Sequence, residues 1–360
     1  MTLKGLRNRL ENEIKKSSHV YIIGHNEPDL DAIGSAIGLY TLVNYYKKPA
    51  SIIIDDEESK LDSSVKRVID DCCGKYRFID KKTALEKVNS SSLLILTDVN
   101  KTTMISIGDS IDKFRKRIII DHHNENNDTV KTQDKYITLN VSSASEIVAS
   151  ILNMSKVPYD SSVANYLLAG INLDTKRFKQ NVTEDTHDTA EKLLHQGADI
   201  DYVNSLFLEE FESFCRISNL IINGTVIRKY SDSLLAPIQV SFTIDRNNPK
   251  NNYSKEDCAK AADRMLKFRG VDASFVLAYT DEDIVHISGR GTQRVNVGKI
   301  MERVHGGGNR QCAGARIKTD NIYSLENELM ENVHAGLSDE EDVIEEPPVI
   351  MRKQIGKKKK

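Results

Sequence analysis

The chain has 360 residues, and none of its windows approaches the roughly 18 consecutive apolar residues that a membrane helix needs. No membrane span is therefore expected. The start, Met1 to Lys16, is charged and amphipathic, with Leu3, Leu6, Leu10 and Ile14 at helical spacing. It lacks the apolar core of a secretory signal. Cysteine is scarce: there are five, Cys72 and Cys73 are adjacent, and no pair has metal-knuckle spacing. An odd, small number of such residues points to free thiols in a reducing, cytoplasmic compartment. A charge excess is missing too. Lys plus Arg is 50 and Asp plus Glu is 53, a net charge of −3. That balance gives no global attraction to nucleic acid. An anionic substrate must be held by a local site, with the help of metal charge.

What is present is a soluble globular composition, 39% hydrophobic and 29% charged, in a chain too long for one typical core. Three short apolar runs share one pattern. Val20 to Gly24 runs into His25, with Asp29 and Asp31 just beyond; Leu93 to Thr97 runs into Asp98; Ile118 to Ile120 runs into Asp121, His122 and His123. Runs dense in branched aliphatics suit strands buried on both faces of a parallel sheet. The intervening helical patterns, among them Ala32 to Tyr46 and Val163 to Leu173, argue for right-handed crossovers. In such sheets ligands collect at the carboxyl ends of the strands, near the switch point. Gly34 and Gly38, four apart, would let their helix approach the sheet closely. Ser142 to Ser145 cap a helix whose first turn holds Glu146.

A single His or Asp at a strand end reads as a cap. Three strands ending this way, with His-x₃-Asp-x-Asp at the first, do not. Asp29 and Asp31 would repel each other unless a cation sits between them. A mixed His and Asp set suits Mn²⁺ or another divalent ion better than Ca²⁺, and the absence of thiolates argues against structural zinc. Two ions need about six ligands with a bridging carboxylate. The candidates are His25, Asp29, Asp31, Asp98, His122 and Asp174. The acidic run Asp55-Asp56-Glu57-Glu58 has no His beside it and reads as a solvated loop. His187, His195 and His286 read as structural, and Cys215, Cys258 and Cys312 as inert packing residues.

The expected organisation is a catalytic domain over residues 1–200, a helical connector over 201–222, a smaller α+β domain over 223–336 and a disordered charged tail over 337–360. The connector reads as one helical stretch from Asp199 to about Leu220, and Thr225–Arg228 with Ala236–Thr243 as a hairpin across Asp232.

Taken in order, His25-x₃-Asp29-x-Asp31, the lone Asp98, Asp121-His122-His123 and Asp174-Thr175 resemble the DHH phosphoesterase family. Gly306-Gly307-Gly308 resembles its associated C-terminal domain, and the likeness covers about Leu3 to about Val333. Within the family, Gly24 to Gly38, Leu168 to Phe178 and Ile287 to Arg290 followed by Asn296-Val297 resemble the module that cleaves cyclic di-AMP. The implied fold is α/β: a parallel-sheet DHH domain, a second, smaller α+β domain and a metal cleft between them. The implied cofactors are two Mn²⁺, with Mg²⁺ or Co²⁺ as alternatives. His25, Asp29 and Asp98 would hold one ion. Asp31, Asp98, His122 and Asp174 would hold the other, with Asp98 bridging. Asp121 would support these ligands. Asp98, His122 and His123 form the implied catalytic set. His123, Arg290, Gly306, Gly307, Gly308 and Asn309 are the implied substrate contacts, the glycines as a nest of backbone N–H groups for phosphate.

The activity implied is hydrolysis of cyclic di-AMP to pApA, and on to AMP, in second-messenger signalling. Relatives imply a homodimer. The alternatives are a nanoRNA exonuclease on short oligoribonucleotides, a 3′,5′-bisphosphate phosphatase, an inorganic pyrophosphatase, or a nucleotide-binding sensor with weakened catalysis. Relatives of the cyclic di-AMP branch commonly carry membrane helices and sensory domains upstream; this chain reads as the catalytic module alone, either a free-standing enzyme or an excised piece. One position departs from the family pattern: Asn309 stands where a His follows the glycines. Asn donates a hydrogen bond but carries neither a proton nor a charge, which bears on substrate affinity. His305 and Arg310 are the candidates to compensate.

Overall fold

The computed structural model describes residues 1–55, 61–230, 238–245, 253–281, 283–319 and 321–339. Asp56 to Glu58 of the acidic run, Asp232 of the expected hairpin and the tail beyond 339 lie outside the described residues. The chain divides into two compact units, Met1–Leu208 and Glu209–Lys360.

The first unit is built from α1 (Leu3–Lys16), β1 (Val20–Ile23), α2 (Leu30–Tyr45), β2 (Ala50–Ile53), α3 (Ser63–Asp71), β3 (Phe78–Ile79), α4 (Lys81–Lys87), β4 (Leu93–Thr97), β5 (Lys116–Asp121), β6 (Lys135–Ile137), α5 (Ala144–Met154), α6 (Ser161–Asp174), α7 (Glu184–His195) and α8 (Ile200–Ser205). Among the described residues its sheet has six strands in the order β3-β2-β1-β4-β5-β6, all parallel. The chain winds outward from β1 through β2 to β3, then returns to lay β4 on the other side of β1. The switch point therefore lies between β1 and β4, where a crevice forms in open α/β sheets.

β1 and β4 are buried along their whole length. Ile22, Ile95, Ile118 and Ile120 face a core shared with α1, α2, α5 and α6. Tyr21, Leu94, Leu96 and Ile119 face a second core closed by Phe114. Each such aliphatic side chain contributes about 1.5–3 kcal/mol on burial, so the two central strands are the most firmly anchored part of the sheet. The α1 stripe Leu6, Leu10 and Ile14 is buried in the first core.

Gly34 and Gly38 have a different neighbour from the one expected. A Cβ on Gly34 would lie 2.4 Å from the Tyr166 carbonyl oxygen, and one on Gly38 would lie 2.6 Å from Val148 Cγ1. The two glycines seat α2 against α6 and α5, not against the sheet. Spacing shows that a helix is approached closely, but not by what.

The second unit holds α9 (Phe211–Gly224), β7 (Thr225–Tyr230), β8 (Ile238–Ile244), α10 (Lys255–Met265), β9 (Ala273–Asp281), β10 (Ile284–Gly291), α11 (Val297–Glu302), β11 (Gly307–Gly308), β12 (Cys312–Lys318) and α12 (Ile322–Asp339). The expected single helix over 199–220 is two helices, α8 and α9, with a break between Ser205 and Phe211. The described sheet runs β11-β12-β10-β9-β8-β7 and is antiparallel except for the β8–β9 pair. Phe275, Leu277 and Ile287 pack with Ile300, Leu325 and Leu329 of α11 and α12, while Val276 and Ala278 pack with Cys258, Ala261 and Ala262 of α10. No helix among the described residues is long and apolar enough to cross a membrane.

Candidate metal centre

The ends of β1, β4 and β5 and of α6 deliver side chains to one edge of the first unit's sheet. His25 follows β1; its Nδ1 sits 2.8 Å from the Asn26 carbonyl oxygen. That bond makes Nδ1 the protonated nitrogen and leaves Nε2 as a ligand atom. Asp29 is the N-cap of α2, its Oδ1 accepting the N–H groups of Asp31 and Ala32 at 2.9 and 3.1 Å. Its Oδ2 lies 3.7 Å from His25 Nε2.

Asp31, in the first turn of α2, is fully buried. Its two oxygens accept the backbone N–H groups of Ala144 and Ser145 at 2.7 and 2.8 Å. A carboxylate thus stands at the N-terminus of α5, where the helix dipole and the unpaired N–H groups favour negative charge. Each oxygen keeps a second lone pair for another partner. Gly170 makes this approach possible: a Cβ there would lie 2.3 Å from Ser145 Oγ and 2.7 Å from Asp31 Oδ1.

Asp98 leaves β4 in the left-handed region, φ 57, and its N–H donates to the Ile120 carbonyl at 3.0 Å. Asp is among the few non-glycine types that enter this region at modest cost. The turn swings its carboxylate between two imidazoles. Asp98 Oδ2 is 3.5 Å from His25 Nε2, and Oδ1 is 3.3 Å from His122 Nε2. Asp174 closes α6 and places Oδ2 3.1 Å from His122 Nε2, with Asp31 Oδ2 on the same nitrogen at 3.9 Å.

Among the described residues, three groups bring ligand atoms within 4.8 Å of one another: His25, Asp29 and Asp98; Asp31, Asp98, His122 and Asp174; and Asp98, Asp121, His122 and His123. All six expected metal ligands are in the first two groups, and Asp98 is in all three. These residues fit a divalent cation on two observations. His122 Nε2 and Asp98 Oδ1 are buried and make no hydrogen bond, although oxygens crowd the nitrogen at 3.1–3.9 Å. One N–H could satisfy only one of those three oxygens, whereas donors that share an ion at about 2.0–2.2 Å stand about 3 Å apart.

The electrostatics carry the same message. Burial raises the Asp31 carboxyl well above its ordinary pKa, and repulsion from Asp98 and Asp174 adds to it. Burial and Asp98 also raise Asp174, against the pull of His122. Asp98 is the exception: burial pushes it up, but His122 and His25 outweigh that and hold it below the usual carboxylate range. Burial lowers both imidazoles, yet the carboxylates win. Asp29 and Asp98 push His25 up to about 11, and Asp174 and Asp98 push His122 up to about 11. A cluster of acids this unwilling to ionise together is what positive charge would stabilise.

Asp121 ends β5. Its Oδ1 accepts the N–H groups of His122 and His123 at 2.8 and 3.3 Å and lies 2.9 Å from His123 Nδ1. That bond raises the His123 pKa against the effect of burial. The His123 side chain is 55% exposed, so its Nε2 is the imidazole nitrogen left for a ligand.

In the second unit, Arg290 is half-buried, with Nε 3.2 Å from Asp263 Oδ1 and Nη1 donating to the Gly289 carbonyl at 3.0 Å. Asn309 Oδ1 accepts the N–H groups of Gln311 and Cys312 at 2.9 and 2.8 Å. Its side-chain oxygen is therefore spent on the β11–β12 turn, and its amide N–H₂ is the group left to donate. The Arg310 guanidinium bonds the Gln293 carbonyl, and exposed His305 stands in the left-handed region at φ 59. The three glycines differ. A Cβ on Gly306 would meet the Gly314 carbonyl at 2.5 Å, and one on Gly308, at φ 148, would meet Ala313 Cα at 2.4 Å; Gly307 has nothing within 4 Å. Gly306→Ala and Gly308→Ala should each cost about 1–3 kcal/mol of overpacking. Gly307→Ala should stay within about 0.5 kcal/mol of wild type. Chemical denaturation of the three variants checks the ranking.

Gly170, Asn100 and the α5 amides escaped the sequence reading. Gly170 and the α5 amides meet Asp31 from more than a hundred positions away, and Asn100 meets Asp121 and His123 from 21 and 23 positions away, so no local pattern announces them.

Comparisons with known proteins agree with this architecture. The family described as "DHH family, N-terminal domain" matches residues 19–171, and the DHHA1 domain matches residues 236–335. The chain is 32% identical over 316 residues to the cyclic-di-AMP phosphodiesterase GdpP of Bacillus subtilis, covering 86% of this chain and 46% of that protein. It is 24% identical to the bifunctional oligoribonuclease and PAP phosphatase NrnA of Thermus thermophilus, covering 92% and 94%. The chain spans about half the length of the cyclic-di-AMP phosphodiesterases it matches. In structure it is similar to an exopolyphosphatase-related protein from Bacteroides fragilis, with a TM-score of 0.77, 18% identity and coverage of 94% and 97%.

Proposed function

Because the chain belongs to the DHH family, we propose that it is a divalent-metal-dependent phosphodiesterase that opens cyclic di-AMP to pApA. The observation that supports this most is the convergence of His25, Asp29, Asp31, His122 and Asp174 around one shared carboxylate, Asp98. The likeness to a cyclic-di-AMP phosphodiesterase over most of this chain supports the choice of substrate.

His25, Asp29 and Asp98 would hold one cation and Asp31, Asp98, His122 and Asp174 the other, with Mn²⁺ the proposed metal. Bound cations supply Lewis-acid polarisation of the phosphoryl oxygens and lower the pKa of an attacking water. The remaining work belongs to the side chains. His25 and His122 must shed their ring protons to ligate. Asp121 holds the His123 ring, so His123 Nε2 is positioned to donate to a phosphate oxygen when protonated. The Asn309 amide and the Gly307 backbone are the proposed phosphate contacts of the second unit. Arg290 becomes a further contact only if it gives up or shares Asp263. If Gly307 approaches the substrate, Gly307→Ala raises KM while the fold stays intact.

A second reading, cleavage of short linear oligoribonucleotides or of 3′,5′-bisphosphates, is supported by the near full-length match to NrnA. A substrate panel separates the two. With saturating Mn²⁺, cyclic di-AMP, pApA, a short RNA, a nucleoside 3′,5′-bisphosphate and pyrophosphate are each offered to the purified protein. Turnover of cyclic di-AMP with accumulation of pApA is the expected result. A preference for linear dinucleotides or bisphosphates would overturn it in favour of the second reading, and tight binding without turnover would leave a sensor.

A further inference from the structure

We infer that Asn100 is a positioning residue that holds His123 away from the shared carboxylate, acting through Asp121; this rests on the phosphodiesterase reading of the same centre. Asn100 is 1% exposed and stands two residues past Asp98, in the turn that leaves β4. Its side-chain amide donates to Asp121 Oδ2 at 2.6 Å and to the His123 carbonyl at 3.2 Å. Behind it, the Thr129 hydroxyl reaches Asn100 Oδ1 at 3.5 Å, and the Val130 N–H donates to the Asn100 carbonyl at 2.8 Å. A continuous chain of contacts thus runs from Thr129 through Asn100 and Asp121 to the His123 ring.

The chain matters because His123 Nδ1 has two carboxylates within reach. Asp121 Oδ1 is at 2.9 Å and Asp98 Oδ1 at 3.6 Å. Asp121 wins because its carboxylate cannot rotate: Oδ1 already accepts two backbone N–H groups, and Asn100 fixes Oδ2. Without Asn100, Asp121 Oδ2 is a fully buried anionic oxygen with no donor, a costly state that is relieved by turning the carboxylate. The His123 ring then loses the acceptor that keeps its proton on Nδ1. The other carboxylate near that nitrogen is Asp98, common to all three ligand groups, and its oxygens are engaged by cations in the loaded protein, so nothing fixes the tautomer. Asn100 also pins the His123 backbone, so the same amide sets both the position and the tautomer of the ring. Asp98 and Asn100 leave the same turn, which makes the spacing between shared ligand and substrate-facing imidazole a property of that turn.

Asn100→Ala is the first test, on the whole chain loaded with Mg²⁺ or Mn²⁺. Loss of a supporting group of this kind typically costs about 10–100-fold. The expected result is a fall of that size in kcat toward cyclic di-AMP and toward bis(p-nitrophenyl) phosphate, with KM changed by less than about threefold. Nitrogen NMR of the Mg²⁺-loaded protein at alkaline pH should show His123 protonated at Nδ1 in the wild type and a changed or mixed tautomer in the variant. A purely structural role would not move that signal. An unchanged kcat, or an unchanged tautomer, overturns the inference. Should Asn100→Ala not fold, Asn100→Ser keeps a buried donor that is too short to reach Asp121 and reads the same two quantities. A wild-type protein silent on both substrates would overturn the phosphodiesterase reading instead, and the tautomer would still decide the role of Asn100.

Discussion

Asp98→Asn should leave less than about one hundredth of the wild-type turnover, a larger loss than the 10–100-fold that removal of a supporting group typically costs. The reason is topological. Asp98 alone belongs to all three ligand groups, and its oxygens face His25 on one side and His122 on the other, at 3.5 and 3.3 Å. An amide at this position carries no charge and presents N–H₂ where an anion is needed, so both proposed ion sites lose a ligand at once. Asn is the right probe because Asp98 sits at φ 57, a conformation that Asn tolerates about as well as Asp. Ala there would add backbone strain to the loss of the carboxylate. Steady-state kinetics with Mn²⁺ raised to saturation, together with Mn²⁺ stoichiometry by calorimetry, give the measurement. Retention of more than a tenth of the activity would sink the idea that Asp98 is shared. Asp121→Asn is the control, expected to fall in the supporting-group range because Asp121 touches the backbone of His122 and the ring of His123.

The parallel α/β fold was legible because its signals are local. Val20 to Ile23 and Leu93 to Thr97 are short enough, and apolar enough on both faces, to be interior strands and nothing else. The polar residues after them then fall at the sheet edge by geometry alone. What escaped was decided by contacts between distant segments. The α5 amides that receive Asp31 follow it by more than a hundred residues, and nothing near Asp31 announces them. Gly170 looks like any helical glycine until its missing Cβ is set against the Asp31 carboxylate. Gly34 and Gly38 signalled close approach but not the approaching partner, and α6 with α5 took the place assigned to the sheet. The departure at Asn309 also had a local cause hidden from a motif reading. Its side-chain oxygen caps its own turn, binding the N–H groups of Gln311 and Cys312. An imidazole at this position would need another way to close that turn.

Metal removal should produce the other large effect, and Asp174 should show its origin. At a cation concentration 100 times Kd, binding to the folded state alone adds about 2.7 kcal/mol. For a unit of this size that is a rise of about 5–10 °C in Tm. In the metal-free protein the same residues work against folding. The folded-state pKa of Asp174 is raised by burial and by Asp98. For a raised carboxyl, stability is greatest below its unfolded pKa and falls as pH climbs through the folded value. At neutral pH, above the ordinary carboxyl pKa, Asp174 therefore lowers the stability of the metal-free fold, and Asp31, raised by burial, Asp98 and Asp174, lowers it as well. His25 and His122 have the opposite sign. Pushed up to about 11, they stabilise fully below the ordinary imidazole pKa and lose that contribution only as pH rises through about 11, so they offset part of the repulsion. Asp174→Asn removes a charge whose net effect in the metal-free fold is unfavourable. In the presence of a chelator at neutral pH it should melt at or above the wild type. With Mn²⁺ the order should reverse, because the variant lacks one ligand of the Asp31, Asp98, His122 and Asp174 group and gains less from the ion. Calorimetric scans with chelator and with Mn²⁺ read both halves. A variant that melts below the wild type without metal, yet shows the full wild-type rise with it, would mean that Asp174 serves the fold and not the cation.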